Sequence, residues 1–157
     1  MKKNKGLKIS IMTLLTVFLL SLGSTSAFAA WGWGDTMNTA VNLYNPGDPG
    51  NSASYVPIDS PYDDDWYVIN NVGSFSDLSF SIILTPPSGI DLNFQIVKTD
   101  ASGNILSTTV NNFNGPGGVE GRTTGISANQ KAYVRVFSQG PSDFDSSRAY
   151  SLTFTKQ

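Results

Sequence analysis

The sequence predicts an all-β protein, a single jelly-roll-like β-sandwich of about seven to nine antiparallel strands that follows a cleaved signal peptide. Three observations lead there. After residue 30, apolar and polar residues alternate in short runs, the period of a half-buried strand. Clusters of Gly, Pro and Asn interrupt these runs at short spacing. No apolar period of about 3.6 residues persists beyond two turns, so amphipathic helices have no place in this part of the chain.

The first element is the leader. Met1-Lys2-Lys3-Asn4-Lys5 and Lys8 give a basic start, and Ile9 to Leu22 is almost wholly apolar. Ala27-Phe28-Ala29 then puts small residues at the two positions a signal peptidase reads. That order is the signature of a secretory signal peptide over residues 1–29, with cleavage expected between Ala29 and Ala30. The competing reading is an anchor that stays in the membrane. The apolar run is shorter than the roughly 20 residues a spanning helix needs, and the chain has no cysteine to carry a lipid. A secreted, extracellular protein without a stable membrane anchor after cleavage is expected.

Residues 30–50 read as a lead-in segment in which Thr39 to Tyr44 can form a short first strand. Residues 51–157 complete the sandwich, in one domain with 34–50. Tyr55 to Ile58 and Asp65 to Asn70 are the next two runs. Leu78 to Leu84 has the cleanest pattern, with Leu78, Phe80, Ile82 and Leu84 on one face. Leu92, Phe94 and Ile96 follow a Pro86-Pro87-Ser88-Gly89 break. The Asp100–Asn104 turn then returns the chain as a hairpin through Ile105 to Val110. A weak strand across Val119 to Thr124, then Lys131 to Ser138 and Tyr150 to Thr155, complete the set.

Composition narrows function. Lys2, Lys3, Lys5 and Lys8 are four of the ten basic residues, and no acidic residue precedes position 30. Cleavage therefore leaves six basic against twelve acidic residues, a formal charge of −6. Nucleic acid is a poor partner for such a surface, and so is an anionic membrane. With no His and no Cys, Ser-His-Asp and Cys-His catalysis and the usual zinc sites are closed to this chain. Glu120 is its only glutamate. The expectation is a protein that is not an enzyme, with aspartate chemistry as a remote option.

Four pieces in order carry a resemblance. Gly34-Asp35-Thr36 with Thr39-Ala40 looks like an opening G-D-T…T-A, and Asp63-Asp64-Asp65-Trp66-Tyr67 looks like a D-x-D-W-Y/F strand start. Asp91-Leu92-Asn93-Phe94 is similar to a D-L-D-L strand, and Ala132-Tyr133-Val134-Arg135-Val136 with Tyr150-Ser151-Leu152 to a closing Y-Y-V-R-V…Y-x-L. Across 34–155 the chain resembles the bacterial pre-peptidase C-terminal domain family, which includes the collagen-binding domains of clostridial collagenases. The resemblance implies a jelly-roll-like sandwich acting as a non-catalytic accessory module of secreted proteins. Here the module is expected to be the whole mature protein, with no peptidase attached.

The resemblance also implies calcium as a candidate ligand through Asp35, Asp63 and Asp65, although Gly32 and Gly34 stand where collagen-binding members carry Glu or Asn. Adjacent aspartates at a loop-to-strand junction suit a hard cation that takes oxygen ligands. The alternative is a solvated, turn-favouring cluster that caps backbone N–H groups. A second candidate is a surface face. If Ala132, Val134 and Val136 point inward, then Tyr133, Arg135 and Phe137 share the outer side, and such residues are enriched where proteins hold partners. The alternative packs Tyr133 and Phe137 inside. Trp31 and Trp33 either dock on a partner or tuck back onto the domain.

The functional expectation is a secreted binding module for an extracellular polymer, protein or polysaccharide. A structural or assembly component of extracellular matrix, or an accessory partner of a separate secreted peptidase, is the alternative.

Overall fold

The computed structural model describes residues 33–157. The expected signal peptide, its cleavage site and Trp31 lie outside the described residues. Within them, a 3-10 turn at Met37–Thr39 precedes nine strands. These are β1 (Val41–Tyr44), β2 (Asn51–Val56), β3 (Asp64–Asn70), β4 (Leu78–Thr85), β5 (Leu92–Thr99), β6 (Ile105–Asn111), β7 (Glu120–Ile126), β8 (Lys131–Ser138) and β9 (Tyr150–Lys156). No described helix is long and apolar enough to cross a membrane.

Period-two alternation decides which side chains become interior. In β4, Leu78, Phe80, Ile82 and Leu84 are buried while the residues between them face outward. Tyr67 and Ile69 of β3, Ala132, Val134 and Val136 of β8, and Tyr150, Leu152 and Phe154 of β9 do the same. One face per strand is apolar, so the stable arrangement stacks two sheets with those faces together. The sheets run β1-β3-β8-β5-β6 and β2-β9-β4-β7. Phe154 lies at the centre of the core, stacked on Tyr44 at 5.2 Å and tilted against Phe80 at 5.7 Å between ring centroids. The β-sandwich expectation holds.

Two details differ from the sequence reading. Every pair is antiparallel except β1 with β3, which is parallel. A parallel neighbour needs a crossover, and β2 supplies it by passing through the opposite sheet between the two strands. The second strand also sits earlier than Tyr55 to Ile58, at Asn51–Val56. Pro57 has no N–H for a ladder, which ends the strand before it; Ile58 is buried beyond the strand.

The segment before β1 is pinned to the start of β3. The Trp66 N–H donates to the Gly34 carbonyl at 2.8 Å. Gly34 has φ +69°, and a Cβ there would come within 2.8 Å of the Trp66 carbonyl oxygen, so only glycine fits this approach. Thr36 and Thr39 close a reciprocal capping box on the 3-10 turn that follows. The expected β5–β6 hairpin is present, its turn held by Asp100, whose carboxylate accepts the N–H groups of Ser102 and Asn104.

Candidate functional site

The same alternation that builds the core sets the outer face of the five-stranded sheet. With Ala132, Val134 and Val136 fully buried, Tyr133, Arg135 and Phe137 turn outward and are half-buried. Register then brings neighbours beside them. Arg135 lies between Trp66 of β3 and Gln95 of β5, and Tyr133 between Val68 and Val97. Asp64 faces Phe137 across the β3–β8 pair.

Arg135 organises this face. Its Nη2 donates to Asp64 Oδ2 at 2.7 Å. Its guanidinium carbon sits 4.9 Å from the Phe137 ring centroid and 6.0 Å from that of Trp66, within cation–π range. The ion pair is about a third exposed, so its value lies in fixing the guanidinium rather than in stability. At one end Asn93 is fully buried, its amide donating to Gln139. At the other end Tyr133 borders a hollow of about 180 Å³, whose polar lining includes Asn38, Asn42, Asn45, Asn70 and Lys131. Asn70 Nδ2 donates to Asn45 Oδ1 at 3.2 Å, which holds those two amides in place.

Trp66 and the asparagines were not picked out as site residues in the sequence. The signal was present for Trp66: Tyr67 and Ile69 point inward, so Trp66 and Val68 must point outward. The hollow had no local signal. Its walls come from the lead-in segment, β1, β3 and β8, which the parallel β1–β3 pair brings together.

A larger cleft of about 450 Å³ opens at the β6–β7 edge beside Leu78, Lys98, Leu106 and Ile126. Lys98 Nζ donates to Thr124 Oγ1 there at 2.8 Å. Its lining holds no aromatic ring, whereas the Tyr133 face combines rings with fixed amides.

The three adjacent aspartates part company. Asp64 faces outward to Arg135, whereas Asp65 turns into the core at 3% exposure. Tyr150 donates its hydroxyl proton to Asp65 Oδ2 at 2.7 Å. Having one proton, Tyr150 must accept from Tyr67, 2.5 Å away, and Tyr67 in turn accepts from Ser54. Trp33 adds a hydrogen bond to Tyr67, so this tryptophan tucks back onto the domain. A relay of donors thus converges on one buried carboxyl.

Burial pushes Asp65 up to about 7, and the charges of Asp63, Asp59 and Asp35 push the same way against the lowering effect of the Tyr150 bond. Burial also raises Asp63, which accepts the Asp59 N–H at 2.7 Å, and raises Tyr67 to about 12.

These positions bear on calcium. Asp65 and Asp63 each commit an oxygen to a protein donor, and Asp35 is exposed. Among the described residues no group of three or more acidic side chains is arranged to hold a metal ion. Thermal unfolding is expected to show the same midpoint in excess Ca²⁺ and in chelator. A midpoint raised by Ca²⁺ would show that the carboxylates gather a cation after all.

With this geometry in view, the chain can be set beside known proteins. No family model matches it, and no curated protein matches it in sequence. Solved structures do. The pre-peptidase C-terminal domain of a collagenase from Bacillus anthracis matches over 74% of this chain and 94% of its own, at 16% identity and a TM-score of 0.50. The two share a fold. That likeness is at the level of architecture and carries no residue roles. PliG from Aeromonas hydrophila, a periplasmic inhibitor of g-type lysozyme, covers 75% of this chain and 97% of its own at 12% identity and a TM-score of 0.47. A β-1,3-glucan-binding CBM6 from Bacillus halodurans covers 75% and 98% at 14% identity and a TM-score of 0.38. These two overlay too loosely to bear on function.

Proposed function

We propose that this chain is a non-catalytic, extracellular binding module that holds a polymer across the outer face of its five-stranded sheet. The observation that carries the reading is the Tyr133 hollow beside the Trp66–Arg135–Phe137 row. Aromatic rings present flat apolar surface to the C–H face of a sugar or to an extended peptide, while fixed amides exchange hydrogen bonds with hydroxyl or peptide groups. Five strands about 4.8 Å apart give a strip roughly 20 Å wide, enough for several units of an extended chain. Secretion follows from the leader, and the absence of His and Cys from the sequence supports a role in holding rather than cleaving. The fold shared with a collagenase's accessory domain is consistent with work alongside a separate secreted peptidase.

Binding to insoluble polysaccharides and to collagen, by pull-down, tests this. Tyr133→Ala and Trp66→Ala are each expected to weaken retention about tenfold or more while the melting curve stays within a few degrees of the parent. Both side chains are half-buried on the outer face, so the core remains intact. Retention by both variants equal to the parent's would remove this face as the site.

A further inference from the structure

The inner side of the sandwich changes character where its two sheets end, one at β6 and the other at β7. On β5 the inward positions run Leu92, Phe94, Ile96 and then Lys98, three core residues followed by a cation. Beside them in register, β6 contributes Asn111, Thr109 and Ser107. Across the gap, β7 turns Glu120, Arg122, Thr124 and Ile126 inward, next to Leu84, Ile82, Phe80 and Leu78 of β4. Polar and charged groups thus line a slot between the sheets. At its Leu78–Ile126 end lies the cleft of about 450 Å³.

Two cations in this slot lack a counter-charge. From position 33 on the chain has twelve acidic residues and six basic ones, yet its ion pairs among the described residues are those of Arg135 and Arg148. Lys98 and Arg122, both half-buried, have none. Lys98 Nζ has three protons to donate and one acceptor among the described residues, Thr124 Oγ1. Arg122 Nη1 reaches only Asn111 Oδ1, at 3.4 Å. Burial and the Arg122 charge both push Lys98 below the ordinary lysine value. The nearby acids are engaged elsewhere: Glu120 Oε1 accepts the Phe113 and Asn114 N–H groups, and the exposed Asp77 accepts that of Ala128. The cleft wall is shaped as well. The β5–β6 register slips by one residue at Leu106, and this bulge turns Leu106 into the cleft with Leu78 and Ile126.

We infer that this cleft binds a small aliphatic carboxylate, its charge answered by Lys98 and Arg122 and its hydrocarbon body lying against Leu78, Leu106 and Ile126. The volume falls in the range of small-molecule sites. Three aliphatic side chains and no aromatic ring suit a flexible hydrocarbon better than a stacked one. Charge sets the sign of the ligand: Lys98 and Arg122 against Glu120 leave one positive charge in the slot, which one carboxylate neutralises. Hydrogen bonds from an ammonium to a carboxylate are also stronger than those to a neutral hydroxyl. The site lies between the sheets, apart from the outer face that carries Tyr133, so it does not rest on the polymer-binding reading.

Hexanoate is titrated at pH 7 into the isotope-labelled protein, with backbone amide shifts as the readout and hexanol as the uncharged probe of equal length. Saturable shifts around Leu106, Gly125, Ile126 and Ser127 are expected for hexanoate, with a Kd of about 3 mM or tighter. Hexanol is expected to bind at least about tenfold more weakly. Lys98→Gln is expected to weaken hexanoate about tenfold or more and leave hexanol unchanged, with a melting midpoint within a few degrees of the parent's. Leu106→Ala removes a side chain that is 52% exposed and outside the core, and is expected to weaken both probes about threefold. Tyr133→Ala is expected to bind hexanoate like the parent. No saturable shift up to about 30 mM, equal binding of the two probes, or parental affinity in Lys98→Gln would each overturn the proposal.

Discussion

Asp65→Asn is expected to make the protein more stable above neutral pH, by up to roughly 4 kcal/mol, while changing little near pH 3. The cause is the buried carboxyl at the end of the Tyr67–Tyr150 relay. Below about pH 4 the group is protonated in the folded and the unfolded chain alike. As pH rises from there, the unfolded chain releases a proton that the folded chain keeps until about 7, so stability falls through this window. Above it the folded protein carries a buried charge that accepts a hydrogen bond from Tyr150. Asn removes the charge and keeps an acceptor for the Tyr150 hydroxyl. Asp63 moves in the same direction and remains in the variant, so the difference between parent and variant isolates Asp65. Melting midpoints at pH 3, 6 and 9 would check this, with a gain on the order of 10 °C at the highest pH. Asp65→Ala provides the contrast, since it strands the Tyr150 hydroxyl in the core and is expected to destabilise at every pH. An Asn variant less stable than the parent at pH 9 would mean that the charge helps hold the sandwich.

Phe154→Ala is expected to destabilise by about 3–5 kcal/mol. Phe154 is fully buried and touches both a ring from the five-stranded sheet, Tyr44, and one from its own, Phe80. Deleting it opens a void on the seam between the sheets, where rigid strands leave little scope for collapse. Native domains hold only about 5–15 kcal/mol in total, and here no disulfide limits the unfolded chain. A midpoint lower by more than about 10 °C, or loss of the cooperative transition, should follow. Phe75, fully exposed, is the control: its change to Ala is expected to fall within about 0.5 kcal/mol of the parent. A Phe154 variant as stable as the Phe75 variant would show that the sheets are not held at this seam.

The strands were legible because burial on one face writes a two-residue period into the chain. β4, β8 and β9 show it without interruption, and the outward turn of Tyr133, Arg135 and Phe137 follows from the inward turn of the residues between them. Partner choice left no comparable trace. All but one of the connections between successive strands cross from one sheet to the other, so the neighbour of β3 in space is β8, more than sixty residues on. The parallel β1–β3 pair and the asparagine hollow are products of that wiring. Asp63, Asp64 and Asp65 look like one cluster when read as a string. Strand geometry separates them, sending Asp64 to solvent and Asp65 to the core.

The parallel β1–β3 pair also decides how the molecule meets tension. β1 runs alongside β3 in the same direction, and β9 ends at the opposite end of the sandwich from the start of β3, beside Phe80 and Asn51. Pulling Val41 away from Lys156 therefore slides β1 lengthwise along its neighbour, loading its hydrogen bonds together instead of peeling them one by one. β9, flanked by β2 and β4, is sheared in the same way. A sandwich wired like this resists extension along that axis more than one opened strand by strand.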